Sequence, residues 1–404
     1  MSTKAADLPN ARVGRHYRVD LHEYLSKEAF RQPYEVFLQG ESGPSELEQI
    51  GLTLDNQTGE ISGVPTLSGH HQMMIREQGN TSPVATLLSL LVNPDPRHLW
   101  KELPSDQSAP FPSTDVHFEA YDDTSTPIAA ASVRGRAHAH AGGFREDAFK
   151  VLYEPNTDWS VIAVADGAGS AHLSRRGASI AVDSATRHLR EALNAELGFA
   201  LSKEIANSPN TTTSAILKPI LYELLVSAGF FAAQAIEAES KLIGCAPKDL
   251  STTLLLTAYR RFGDEHFFAS FGVGDGLAVI VSELRETAKV MNNADSGDYA
   301  GQTRFLSVSE FVDPQRSMDR IHFETTPDFT ALLMMTDGVS DPLFGETNSA
   351  THSVYDAWKT SIAPFVRPNE CIQSNGQSLA DWLCFYTPNH HDDRTLAVLW
   401  NRGK

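Results

Sequence analysis

The chain has 404 residues, 41% apolar and 21% charged, a composition that supports two or three folded domains of about 150 residues and excludes a disordered or fibrous protein. Lys and Arg number 33 against 51 Asp and Glu, a formal charge of −18. A surface that acidic repels phosphate backbones and anionic lipid, so neither a nucleic-acid nor a membrane partner is expected, and cations are favoured. Cys245, Cys371 and Cys384 show no CxxC or Cys/His spacing, which argues against a disulfide or zinc framework and for a reducing compartment. The segment MSTKAADLPNARVGRHYRVD has no apolar core of a leader, and runs such as residues 84–92 (VATLLSLLV) have only strand length. A soluble, cytoplasmic protein is the expectation.

Residues 13–96 carry short strand-like runs, at 34–38 (YEVFL), 52–54, 61–64 and 73–75, separated by QGESGPS, DNQTGE and LSGHH. Closely spaced strands and turns predict a small all-β sandwich. Its glycine-rich stretch, residues 51–69 (GLTLDNQTGEISGVPTLSG), suits tight turns at positive φ. The stretch resembles the TG-I-G-P run of immunoglobulin-like, cadherin-like modules. That resemblance implies a protein-binding module presenting loops or a sheet edge, without chemistry of its own.

Residues 97–126 are rich in Pro, Ser and Asp without a sustained period and predict an interdomain linker. From 127 to 404 the pattern changes. Strands are expected at 159–165, 253–258, 267–272, 277–281, 332–336 and 396–400. Two long helices fall between them. In 176–197, Val182, Ala185, Leu189, Leu193 and Leu197 recur at steps of three and four; in 214–242, Leu221, Leu224, Leu225, Ala228, Phe231 and Ala235 do. Strand pairs around long helices, without regular βαβ alternation, predict a layered α+β domain with largely antiparallel sheets. Residues 292–301 (NNADSGDYAG) are expected to form a mobile flap.

The chemistry lies where apolar strands end in aspartate. Asp147 precedes the 148–152 run, Asp166 follows VIAVA, Asp275 follows FASFGVG, Asp337 follows LLMMT, and Asp392 and Asp393 precede RTLAVLW. A single Asp-Gly after a strand is usually a turn; carboxylates from five strand edges converging on one rim repel one another unless a cation neutralises them. Oxygen donors without clustered His or Cys suit Mg²⁺ or Mn²⁺. Two such ions would activate water for attack on a phosphoryl group, and Gly167 after Asp166 would let a backbone carbonyl approach.

In order, EDAF, VIAVADGAGS, STTLLL, GVGDGLAVI, LLMMTDGVSD and DDRTLAVLW resemble the metal-dependent Ser/Thr protein phosphatases of type 2C, in the flavour of a divergent bacterial branch, over about residues 129–404. The resemblance implies an α-β-β-α sandwich of two mainly antiparallel sheets flanked by helices, and hydrolysis of phosphoserine and phosphothreonine with two Mn²⁺ or Mg²⁺ ions and a labile third. Carried over by position, Asp166 bridges both metals and Gly167 supplies a carbonyl. Asp337 and Asp392 complete the first site, and Glu146 and Asp147 serve the second directly or through water. Asp275 and Asp341, with Asp337, match the third. Asp392 is preferred to Asp393 because it stands three residues before Thr395, where the family's D-N-x-T places its ligand. Asp166 and Asp392 are thus the catalytic carboxylates.

Two positions depart from the family. Gly142 stands where an arginine commonly clamps phosphate, leaving Arg134, Arg136, Arg145, His138 and His140 as candidates. Ala168 and Ala171 follow the Asp-Gly motif, with His172 next, where many members place an acid histidine; His138, His140 or a water would serve. Read as extended, AHAHA puts both histidines on one strand face, for phosphate or acid work or as plain surface. His390 and His391 are expected to leave metal binding to Asp392, Arg175 and Arg176 to be solvent-facing or salt-bridged, and residues 251–253 (STT) to cap a buried strand.

The expected partners are a phosphorylated protein substrate and, by analogy with the bacterial branch, a cognate protein kinase. The alternative is a catalytically silent phosphatase-like scaffold or adaptor. Covalent cysteine chemistry is closed, since a C-x5-R motif needs arginine where Ser251, Gln377 and His390 stand; no D-x-D-x-D calcium loop occurs.

Overall fold

The computed structural model describes residues 4–25, 34–37, 46–77, 86–121, 126–207, 214–293, 303–344, 351–366 and 372–402. Two compact units divide the chain, Met1–Lys101 and Glu102–Lys404.

In the first unit, one sheet runs in the order Lys4–Asp7, Thr86–Asn93, Gly69–Glu77, Tyr34–Phe37, with Ala11–Arg12 also on Thr86–Asn93; a second joins Tyr17–Asp20, Glu60–Gly63 and Leu52–Leu54. Alternation along Thr86–Asn93 buries Thr86, Leu88, Leu90 and Val92, the period-two signature of a sheet with one face in a core. Leu21, Leu52, Ile61, Met73 and Ile75 meet them there. Gly51 and Gly63 adopt φ +81° and +143°, and a Cβ on Gly63 would collide with the Gly51 carbonyl oxygen. The glycines of the 51–69 stretch are therefore a geometric requirement of this hairpin. The sheet also begins before residue 13: Lys4–Asp7 and Ala11–Arg12 pair in parallel with Thr86–Asn93, a partner too distant for local pattern to announce. Leu38 and the QGESGPS turn lie outside the described residues.

The second unit stacks two antiparallel sheets. Six strands run Thr287–Val290, Leu277–Ser282, Ala331–Met335, Arg394–Trp400, Ile128–Val133, Val116–Tyr121; five run Ala148–Glu154, Trp159–Ala165, Leu254–Phe262, Glu265–Val273, Ile321–Thr326. Between them Ile128, Phe149, Ile162, Val164, Phe268, Ile280, Leu332 and Leu399 form a shared core. The outer face of the five-stranded sheet is covered by Ser174–Leu193 and Ser227–Ile243 through Val161, Ala163, Ala181, Leu189, Ala232 and Ile236. Val279, Leu333, Val398, Trp358 and Leu379 pack the other outer face. The result is a helix–sheet–sheet–helix sandwich, α+β in class. Trp159–Ala165 and Arg394–Trp400 are buried on both faces, which is why they read as unbroken apolar runs.

Three local expectations change. Residues 116–121, read as linker, form an edge strand pairing Val116 with Val133; a half-exposed edge alternates weakly, and surrounding Pro and Ser hide it. The 176–197 helix is Ser174–Leu193 followed by a separate helix, Glu196–Asn207. The 214–242 helix carries one π turn at Tyr222–Val226 and ends at Gly244, φ +75°. Residues 215–243 are long and apolar enough to cross a bilayer by length and composition, beyond the strand-length runs expected from sequence, yet Leu217, Leu221, Leu224, Leu225 and Ala228 are buried in the unit's own core. Of the expected flap, residues 294–301 lie outside the described residues.

Candidate metal centre

The acidic rim is assembled from behind by hydroxyls and backbone. At the end of Trp159–Ala165, the Asp166 N–H donates to Thr253 Oγ1 at 2.9 Å, and its carbonyl accepts from Thr252 Oγ1 at 2.7 Å and the Thr253 N–H at 2.8 Å. The STT run thus fixes the Asp-Gly turn. Gly167 sits so close to the next acid loop that a Cβ there would stand 2.7 Å from the Glu146 carbonyl oxygen. Asp147, 4% exposed, accepts from Thr336 Oγ1 at 2.8 Å and Thr395 Oγ1 at 2.7 Å. Asp275 follows Gly274, φ +120°, and accepts from Thr303 Oγ1. Asp337 opens the helix Asp337–Phe344, with Asp341 one turn on.

This scaffold brings Asp166, Asp275 and Asp337 together, one carboxylate oxygen from each within 4.8 Å of the others. Desolvation and then the charges of Asp147, Asp337, Asp392 and Asp275 push the Asp166 carboxyl well above its ordinary range. Desolvation, Asp275, Asp392 and Asp341 push Asp337 up to about 7. Asp147 is raised by desolvation and by Asp393. Asp275 Oδ1 and Glu146 Oε2 are buried without a hydrogen-bond partner among the described residues. Clustered carboxylates held from the rear, with inward oxygens unsatisfied, are the donor set a hard divalent cation completes.

The histidines differ from expectation. Residues 136–141 form a helical turn, Arg136–Ala141, closed by Gly142 at φ +72°. The Ala-rich segment followed by a left-handed glycine favours helix over strand. His138 and His140 therefore do not share a face: His138 turns to the acids and His140 is exposed. His138 Nδ1 lies 2.9 Å from Asp393 Oδ1 and Nε2 lies 3.8 Å from Glu146 Oε2. Burial pulls its pKa down, but the hydrogen bond to Asp393 and the charges of Asp393, Glu146 and Asp392 outweigh this and raise it to about 9. Asp393, 2% exposed, also accepts the Gly135 N–H at 2.6 Å and the Glu146 N–H, while Asp392 stays exposed at the rim.

The candidate arginines are spent on structure. Arg134 bonds Asp115 and the carbonyls of Leu103 and Gly143. Arg145 bonds Thr114, Ser132 and the Asp147 carbonyl. Arg136 reaches the Cys384 carbonyl and lies over the Tyr386 ring. After His138, the cation whose charge reaches Glu146 is Arg175, held by the Pro110, Phe111 and His172 carbonyls and stacked 4.1 Å from the Phe144 ring centre. Its position after the DGAGS turn was the signal available in the sequence. Arg176 is salt-bridged to Glu239 at 2.7 Å, and His390 and His391 lend their carbonyls to Arg394 and Ala137.

The family model for protein phosphatase 2C matches residues 134–384, more than half of the chain. A search of curated proteins finds no match. Similar solved structures include the serine-threonine phosphatase 2C from Toxoplasma gondii, at 13% identity over 72% of this chain and 99% of that one, TM-score 0.44. A bacterial serine phosphatase matches at 14% identity over 72% and 99%, TM-score 0.39. The catalytic domain of the serine threonine protein phosphatase PstP, in complex with two manganese ions, matches at 18% identity over 68% and 97%, TM-score 0.36.

Proposed function

We propose, from the premise that this chain belongs to the protein phosphatase 2C family, that its Glu102–Lys404 unit hydrolyses phosphoserine and phosphothreonine on proteins with Mn²⁺ or Mg²⁺. The observation that carries the reading is the convergence of Asp166, Asp275 and Asp337 on one point with Asp275 Oδ1 buried and unpartnered among the described residues. By position in the family motifs, Asp166, Gly167, Asp337 and Asp392 would hold one cation, Glu146 and Asp147 with Asp166 the second, and Asp275 and Asp341 with Asp337 a labile third. When bound, such ions supply an activated water and neutralise the phosphoryl oxygens. Thr336 and Thr395 fix Asp147, and Thr252 and Thr253 fix the Asp166 backbone, so the carboxylates are oriented before any ligand arrives. Arg175 adds positive charge on the Glu146 side for the phosphoryl anion.

The second reading, a silent scaffold, is favoured by one feature: Arg134, Arg136 and Arg145 are all engaged elsewhere, with Gly142 in the clamp position. Titrating Mn²⁺ into the chelated protein while following p-nitrophenyl phosphate hydrolysis separates the two. Binding with turnover supports the phosphatase, and saturation without turnover on this ester or a phosphothreonine peptide supports the scaffold.

We further propose that residues 13–96 are an immunoglobulin-like module that binds a protein partner, joined through 97–126 to the catalytic domain, and that the protein works in the cytoplasm against a phosphoprotein produced by a partner kinase. Exposed Val64, Leu67 and Leu91 support a binding role for the module.

A further inference from the structure

His138 sits in a setting that a phosphate contact or a surface role does not account for. A carboxylate accepts hydrogen bonds, so the ring nitrogen 2.9 Å from Asp393, Nδ1, carries hydrogen. Asp393 also accepts the Gly135 and Glu146 N–H groups, so both of its oxygens are already engaged in holding this corner of the site. Nε2 is left facing Glu146 Oε2, 3.8 Å away, an oxygen that is buried and without a hydrogen-bond partner among the described residues. One ligating atom from each of His138, Asp392 and Asp393 lies within 4.8 Å of the others.

We infer that His138 Nε2 is a nitrogen ligand to the second cation, shared with Glu146, and that Asp393 is the carboxylate that orients the ring. Two ligand atoms each about 2.1 Å from a small divalent ion stand roughly 3 Å apart at a right angle and about 4 Å apart when opposed, and 3.8 Å falls between. A ligating imidazole that gives its other N–H to a buried carboxylate is the usual way such a ring is held in tautomer and direction. The helical turn Arg136–Ala141 and its Gly142 cap are then what bring a nitrogen donor to a rim otherwise built from oxygen. Imidazole suits Mn²⁺ better than Mg²⁺, which prefers oxygen and water, so this site is manganese-selective while the Asp166–Asp275–Asp337 cluster accepts either ion.

The inference rests on the proposed metal-dependent function, and the test separates the two. Full-length protein is chelated, loaded with Mn²⁺ and studied by pulsed electron paramagnetic resonance, unlabelled and with ¹⁵N-histidine. The expected result is a nitrogen coupling that changes isotope with the label and disappears in His138→Gln. By Mn²⁺ titration, one class of site weakens at least tenfold in His138→Gln and about tenfold in Asp393→Asn, and the Mn²⁺ over Mg²⁺ preference of that class is lost. Circular dichroism verifies folding of both variants, and the isotope experiment on the wild type needs neither. Manganese-saturated wild type without nitrogen coupling overturns the inference alone, as does a coupling that survives His138→Gln. Failure of the wild type to bind Mn²⁺ while it binds Mg²⁺ overturns the inference alone, and failure to bind either ion overturns the inference and the proposed function together.

Discussion

The strand Leu254–Phe262 connects two buried polar clusters of opposite character. Just before its first residue, Thr252 and Thr253 support the acid rim; toward its end, Tyr259 Oη lies 2.9 Å from His266 Nδ1, and His266 packs edge-on to Phe329, ring centres 4.7 Å apart. The His266 cluster is satisfied within the protein: desolvation and Arg261 push His266 down to about 4, so it is neutral, and burial holds the Tyr259 hydroxyl protonated. At the rim, like charges face one another, and Asp275 Oδ1 and Glu146 Oε2 go unpaired among the described residues. A buried titratable group that finds its partner in the fold is structural, and one that does not marks a place where a ligand completes the protein.

The comparison is broken most forcefully at the rim. Asp166→Asn is expected to lower metal-restored hydrolysis by about a thousandfold or more, since the carboxylate proposed to hold the cations is lost, and Asp337→Asn to do likewise in steady-state assays. Asp337→Asn should also raise the melting temperature of the chelated protein, because it removes a charge the fold repels. His266→Ala should do the reverse, costing about 2–4 kcal/mol in denaturant unfolding through a cavity and an orphaned Tyr259 hydroxyl, with the metal requirement of hydrolysis unchanged.

The two ends also titrate with opposite sign. Asp337 has a folded pKa raised from 3.8 to about 7, so its contribution to the stability of the chelated protein is full below pH 3.8 and is lost as pH rises through 7. His266 is depressed from 6.5 to about 4, so its contribution is full above 6.5 and is lost as pH falls through 4. Melting curves of chelated protein from pH 4 to 8 should show the alkaline loss reduced in Asp337→Asn and the acid loss reduced in His266→Ala. Mn²⁺ should suppress only the alkaline loss. The smallest effect is expected from Arg176→Ala, which removes a partly exposed ion pair to Glu239 and should cost under about 1 kcal/mol in denaturant unfolding.

What the sequence reveals follows the same division. Strands buried on both faces announce themselves as apolar runs, and an aspartate that ends such a run can be placed on a strand edge without coordinates. Asp392 and Asp393 are adjacent and chemically identical; only N–H groups of Gly135 and Glu146, remote in sequence, make Asp393 the anchored one. Arg134 and Arg145 look like phosphate clamps until the carbonyls of Leu103, Gly143 and Thr114 are in place around them. AHAHA has no apolar period to distinguish strand from helix, and the deciding feature is the left-handed Gly142 that follows it. Val116–Tyr121 is a strand only because Ile128–Val133 lies beside it.

The central claim is that these carboxylates serve phosphoester hydrolysis through a divalent cation. The most direct measurement is phosphate release from a phosphothreonine peptide by chelated full-length protein before and after Mn²⁺ addition, with Asp166→Asn alongside. Release only with Mn²⁺, and only from the wild type, is the expected result. A folded, manganese-saturated wild type that releases no phosphate, or an Asp166→Asn variant that releases it at the wild-type rate, contradicts the claim.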